Sequence, residues 1–214
     1  RRYAGYIPTY PCRIEVDMYI LGVTGNIGSG KSTVSHRLAH HGAVVSHSDP
    51  LAKEILQNDP EILASLAQRF GTDILNEAGI LQKHILAERA FSTRDDQLFL
   101  NHLIHPEVRR ITLDRIEIAR SQGKSLFVVD APLLFEAHAD SITDGVLVVV
   151  ADRMFREGRV ERRSSISKVD FERRDALQMP IDEKIRRADY VIDNDGTLIE
   201  LLSKVDIFYK DLKL

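Results

Sequence analysis

Gly25-Asn26-Ile27-Gly28-Ser29-Gly30-Lys31-Ser32-Thr33 follows directly on Tyr19-Ile20-Leu21-Gly22-Val23-Thr24, so an apolar strand runs straight into Gly-x-x-x-x-Gly-Lys-Ser. That register is the signature of a phosphate-binding loop, a glycine-rich turn continued by a helix. Its backbone amides converge on phosphate oxygens, and the positive end of the following helix faces the same anions. In such a loop the Lys31 ammonium reaches the β- and γ-phosphates, and the Ser32 hydroxyl sits on Mg²⁺. Asn26, Ile27, Gly28, Ser29, Gly30, Lys31, Ser32 and Thr33 are therefore the expected ATP-binding run, with Lys31 also a catalytic candidate. A glycine turn whose lysine merely faces solvent does not account for glycines, lysine and serine in this one register.

Working outward, Lys31 to His41 reads as a helix with Val34, Leu38 and His41 on one stripe, and Ala43-Val44-Val45-Ser46 as a short second strand. Residues 50–122 are almost wholly helical in pattern, including separate segments Ile85 to Phe91, Leu98 to Leu103 and Val108 to Ala119. Leu126 to Asp130 and Val146 to Val150 are continuous apolar runs, as expected of parallel strands covered on both faces. Arg153 to Arg163 and Lys168 to Gln178 read as charged helices, the second broken by Pro180. Tyr190 to Asp193 is a fifth strand, and Thr197 to Leu212 a final amphipathic helix. This order predicts an α/β fold, a doubly wound five-stranded parallel sheet with two excursions. The expected division is a nucleotide-binding core at 18–57, 123–152 and 188–214, a helical acceptor domain at 58–122 and an Arg-rich lid at 153–187. Residues 1–17, which precede Met18 without clear periodicity, read as a leader-like extension.

Composition narrows the classes. With 43% hydrophobic and 29% charged residues in 214, the chain has ordinary globular usage and enough length for a substantial core. A net charge of −3 gives no broad electrostatic case for nucleic acid. A single cysteine, Cys12, excludes an intrachain disulfide and suits a reducing compartment. No apolar run approaches the roughly 18 residues that span a bilayer. A cytoplasmic protein is expected, with no membrane or nucleic-acid partner; the oligomeric state is left open.

Among nucleotide-binding classes, a GTPase would carry Asn-Lys-x-Asp for guanine, which this chain lacks. A dinucleotide fold wants Gly-x-G-x-x-Gly, whereas here the spacing is Gly25-x-x-Gly28-x-Gly30 followed by lysine. Two classes remain: a small-molecule kinase, and a regulatory module gated by nucleotide. Arg153, Arg156, Arg159, Arg162 and Arg163 crowd one stretch, and positive charge delivered on closure favours phosphoryl transfer. Asp49, after the second strand, suits either a general base for an acceptor hydroxyl or a helix cap before Pro50. Asp130, ending the third strand, suits either a metal-holding acid or a turn cap.

Several segments carry a further resemblance. The loop at 24–33, Asp49, Leu103-Ile104-His105-Pro106-Glu107-Val108-Arg109 and Asp130-Ala131-Pro132-Leu133-Leu134-Phe135-Glu136 occur in that order. The Arg159/Arg163 pair, Gln178-Met179-Pro180 with Lys184, and Ala188-Asp189-Tyr190-Val191-Ile192-Asp193-Asn194-Asp195-Gly196 follow. Together, over residues 18–214, they resemble the dephospho-CoA kinase family. The resemblance implies ATP- and Mg²⁺-dependent phosphorylation of the ribose 3′-hydroxyl of dephospho-CoA, with another nucleoside-like or sugar hydroxyl as the alternative acceptor. It implies Asp49 as the base, and Arg159 and Arg163 on ATP phosphates, Arg159 being catalytic. It places Asn194 beside the adenine, His105, Arg109, Leu133 and Glu136 on the substrate side, and Ser32 with Asp130 at the metal. Read by themselves, Glu157 and Glu161 interleave with the arginines as on a solvated helix, Asn194-Asp195-Gly196 suits a plain turn, and Lys184 suits a phosphate contact or the surface. Two positions depart from the family pattern: His47 replaces an acid, and Ser164 follows Arg163 where Asp is usual. The first is expected to alter metal binding and the second to weaken the hinge of the lid.

Overall fold

A computed structural model describes residues 18–163 and 167–214, with Arg163 by its backbone alone. The extension at 1–17 with Cys12, Ser164 and the side chain of Arg163 lie outside the described residues. The strands are β1 (Tyr19–Thr24), β2 (Val44–His47), β3 (Leu126–Asp130), β4 (Gly145–Val150) and β5 (Tyr190–Asp193). The helices are α1 (Lys31–His40), α2 (Ser48–Asn58), α3 (Pro60–Phe70), α4 (Lys83–Ala90), α5 (Arg94–Ser121), α6 (Arg153–Arg163), α7 (Lys168–Ala176), α8 (Ile181–Arg187) and α9 (Leu198–Asp211). The chain forms two compact units, one of residues 18–46 and 115–214 and one of His47–Asp114.

The first unit contains the sheet, ordered β2-β3-β1-β4-β5, with parallel β1–β3, β1–β4 and β4–β5 ladders. The apolar runs alternate between two buried faces. Leu21, Val23, Leu126, Val128, Leu147 and Val149 pack with Val34 and Leu38 of α1 and Leu201 and Val205 of α9. Ile20, Phe127, Val129, Val146 and Val148 pack oppositely, with Ile116 and Ala119 of α5 and, partly buried, Ile181 and Ile185 of α8. Burial on both faces is why these strands read as unbroken apolar runs rather than alternating ones.

The second unit is helical. Leu51 and Ile55 of α2 join Ile62, Leu66 and Phe70 of α3, Leu86 and Ala90 of α4 and Ile104 of α5 in one cluster. Its limits at 47 and 114 differ from the expected 58 and 122 for two packing reasons. α2 buries its apolar side in this cluster, whereas Ile116 and Ala119 pack on the sheet. The separate segments expected at Leu98 to Leu103 and Val108 to Ala119 belong to one helix of 28 residues with Pro106 inside it. An internal proline costs about 3 kcal/mol. Burial of Ile104, with Leu103, Val108 and Ile111 packed on the same cluster, offsets that loss.

A polar clasp joins α1 to α9. Arg37 donates from Nε and Nη2 to the two Asp206 carboxylate oxygens at 2.6 and 2.7 Å, His41 Nε2 lies 2.7 Å from Oδ1, and the His41 ring stacks on Tyr209. Hydrogen bonds from Arg37 and His41 hold the Asp206 carboxyl well below its usual range. A carboxyl depressed in the folded state contributes stability above its unfolded value, about 3.9, and loses it as pH falls toward the folded value. Asp206→Asn is therefore expected to lower Tm at pH 7, with the gap to wild type closing below about pH 4. Paired thermal melts from pH 7 to pH 3 check this, and a gap independent of pH counts against the linkage.

Candidate nucleotide and active site

Parallel pairing sets Val23 opposite Asp130, which brings the end of β3 beside the loop that leaves β1. By alternation Asp130 shares its face with Leu126 and Val128, the face covered by α1. Lys31, the first residue of α1, donates its ammonium to Asp130 Oδ1. The carboxylate is buried and the lysine side chain 16% exposed, so the pair has a wet side through the loop. In sheets of this topology ligands bind beyond the carboxyl ends of the strands.

The loop itself is open to an anion. The amides of Gly28, Gly30, Lys31 and Ser32 make no hydrogen bond among the described residues, while Ser29 N–H bonds Asn26 O at 3.0 Å and Thr33 N–H bonds Gly30 O at 3.0 Å. α1 has neither a side-chain cap nor an acidic residue in its first turn. Its positive end is thus unneutralised, as an anion site requires. Gly28 and Gly30 take left-handed φ values of 80° and 99°, which only glycine adopts at low cost. The Ser29 hydroxyl and Asn26 Oδ1 are buried without a hydrogen-bond partner among the described residues. These features fit a polyphosphate. Ser32, exposed, and Asp130 add one hydroxyl and one carboxylate, a hard oxygen pair that suits Mg²⁺ carried on substrate phosphates.

α6 lies against this loop. A Cβ on Gly28 would come within 2.6 Å of the Arg156 carbonyl oxygen. Arg159 donates to Asn194 O at 2.6 Å, to Asn194 Oδ1 at 3.3 Å and to Gly28 O at 3.5 Å. Asn194, buried, donates in turn to Ser29 O at 2.7 Å. Asn194 is therefore a tie between the end of β5 and the phosphate loop rather than a plain turn residue. On the outer side of α6, Arg153 pairs with Glu157 at 2.6 Å, as an interleaved charged face predicts.

Lys184 is not a surface lysine. It is wholly buried, donating to Pro132 O at 2.7 Å and lying 3.2 Å from Glu136 Oε1. Burial pushes its pKa below the ordinary lysine value, opposed by the Glu136 charge. Glu136 Oε1 also accepts the Met179 N–H at 2.6 Å, leaving Oε2 buried without a hydrogen-bond partner among the described residues. Leu133 is half-buried in the same loop.

In the helical unit, Asp49 lies in the first turn of α2 and is exposed. Its carboxylate does not cap the helix, because α2 begins one residue earlier and His47 holds the N-cap position, without a side-chain cap bond. His105, half-buried, and the exposed Arg109 stand one turn apart on α5.

Three residues beside the loop received no role from sequence: Asp175, and Arg156 and Gln178, which stand in segments singled out above. Arg156 Nη1 donates to Ile27 O at 3.2 Å and to Asp175 Oδ1 at 2.6 Å, and Gln178 Oε1 accepts the Ile27 N–H at 2.8 Å. The available signal was Val160, one helical turn after Arg156 and buried, which marks the inner face of α6.

The model of the dephospho-CoA kinase family matches residues 19–200. A dephospho-CoA kinase of Syntrophotalea carbinolica is 40% identical over 188 residues, spanning 88% of this chain and 89% of its own. A dephospho-CoA kinase of Bacillus cereus is 34% identical over 192 residues, 90% of this chain and 96% of its own. Among solved structures, TT1252 from Thermus thermophilus has a TM-score of 0.78 at 34% identity, across 91% of this chain and 98% of that one.

Proposed function

The chain belongs to the dephospho-CoA kinase family, and from that premise we propose that it transfers the γ-phosphoryl group of ATP to the ribose 3′-hydroxyl of dephospho-CoA, giving CoA and ADP. The observation that carries this reading is the open cradle of amides at Gly28, Gly30, Lys31 and Ser32, with the Lys31 ammonium at its mouth. ATP phosphates would settle on these amides, and Lys31 would turn from Asp130 toward them. Ser32 and Asp130 would hold Mg²⁺, which supplies charge neutralisation at the β- and γ-phosphates when bound. Arg159 and Arg163 would meet the ATP phosphates from α6, and Asn194 would border the adenine.

Asp49 is the proposed base. It accepts the proton of the 3′-hydroxyl as the ribose oxygen bonds to Pγ, and the bond from Pγ to the bridging oxygen breaks to release ADP. His105, Arg109, Leu133 and Glu136 are the proposed acceptor side, where the cationic Arg109 suits the phosphates of dephospho-CoA. Among the described residues no helix is long and apolar enough to cross a membrane. We place the reaction in the cytoplasm.

The deciding experiment is ADP release from ATP and Mg²⁺ with dephospho-CoA, adenosine or shikimate as acceptor. Stimulation by dephospho-CoA alone, with CoA formed, is expected. ATP binding without stimulation by any acceptor would overturn the proposal in favour of a nucleotide-gated module.

A further inference from the structure

The phosphate loop is made compact by glycines, and glycines leave a backbone soft. Something outside the loop must therefore fix the direction of its amides. Ile27 sits in the middle of the turn, and both of its polar backbone groups are held, one by α6 and one by the turn after α7. Its N–H goes to Gln178 Oε1 at 2.8 Å, and its carbonyl receives Arg156 Nη1 at 3.2 Å.

Arg156 is itself locked. It makes a two-pronged bond to Asp175, 2.6 Å to Oδ1 and 3.3 Å to Oδ2, and its guanidinium lies 5.7 Å from the centre of the buried Phe171 ring. Asp175 also accepts from Asn26 Nδ2 at 3.4 Å, which brings a second loop residue into the same cluster. Burial alone would raise the Asp175 carboxyl. The bonds and charge of Arg156, with Asn26 and the charge of Arg153, hold it below the usual carboxylate range instead. The residue is thus anionic at neutral pH and Arg156 has a fixed counter-charge.

We propose that Arg156 and Asp175 are positioning residues: with Gln178 they clamp the Ile27 peptide groups and so aim the amides of Gly28 to Ser32 at the nucleotide phosphates. In this reading neither Arg156 nor Asp175 acts directly on the reacting atoms. They act through the loop, and the claim rests on the reading of that loop as the ATP site. A lysine at 156 keeps the charge without the fork that reaches Ile27 and Asp175 together.

The test is steady-state kinetics of Arg156→Met, Arg156→Lys, Asp175→Asn and Arg156→Met/Asp175→Asn, with ATP and dephospho-CoA varied separately and Tm measured for each. Loss of a charged hydrogen bond to the loop predicts a fall of about 30-fold in kcat/KM for ATP in Arg156→Met, with KM for dephospho-CoA changed by about twofold or less. Arg156→Lys is expected to recover part of that fall. Because the two residues act as one unit, the double variant should be no worse than Arg156→Met. Asp175→Asn keeps the shape of the side chain and reports on the clamp should Arg156→Met fail to fold. Unchanged ATP kinetics, equal losses for both substrates that track Tm, or additive effects in the double variant would each overturn the clamp. A wild-type protein without ATP-dependent turnover would overturn the nucleotide reading as well, whereas active wild type with unmoved variants overturns the clamp alone.

Discussion

Asp49→Asn is expected to lower kcat by about 10³-fold, within the usual range for removal of a general base. Nucleotide affinity should change little, because in the proposed reaction the residue acts on the acceptor hydroxyl and stands outside the phosphate loop. The placement of Asp49 makes the experiment clean. It is exposed in the first turn of α2 and does not cap the helix, so its charge bears on the fold only through the positive end of that helix. Substitutions at such positions usually move stability by about 0.5 kcal/mol or less. Measuring kcat, the Kd of a non-hydrolysable ATP analogue and Tm together separates chemistry from folding. A variant that keeps full kcat removes Asp49 from the base role.

Lys31→Met is expected to act on both turnover and stability. Turnover should fall by two to three orders of magnitude, on the order of 3–4 kcal/mol of lost charge stabilisation at the transferring phosphoryl group. Stability should fall as well, because the ammonium faces a buried carboxylate. Taking one partner from a buried pair costs about 3–5 kcal/mol, and the partial exposure of Lys31 sets the expectation at the lower end of that range. Lys31→Met/Asp130→Asn should recover most of the stability and none of the turnover. Chemical denaturation and ADP release on the two variants check this. A stable but inactive Lys31→Met would mean that the pair contributes nothing to the fold.

The glycine turn at 25–33 and the strands around it were largely legible in the sequence, for reasons that lie in short-range geometry. The loop at 25–33 needs glycine at set positions, and a parallel strand covered on both faces reads as an unbroken apolar run. Asp130 could be found because it ends such a run. The less legible features depend on long-range packing. Pro106 argues locally for two helices, and only the cluster around Ile104 makes one helix the better solution. Lys184 looks like a surface residue until the Pro132 carbonyl and Glu136 are brought against it. Arg156 was one of five arginines in a strongly charged helix, so sequence placed it in the expected lid, and only the apolar Val160 one turn later hinted at the inner face. Asp49 fitted a capping pattern, and the helix, starting at Ser48 rather than Pro50, began two residues too early for that pattern to operate.

The alternation of β3 carries a consequence for how such a chain can vary. Leu126 and Val128 face α1, Phe127 and Val129 face away, and Asp130 belongs to the first set. Exchanging one aliphatic residue for another in this strand leaves the acid where it is. Inserting or deleting a single residue inverts every side chain beyond the change and carries the carboxylate to the opposite side of the sheet, away from Lys31. The strand can therefore drift in spelling but not in length, and related chains that retain the Lys31–Asp130 pair should differ here by substitution, with gaps confined to the connections on either side.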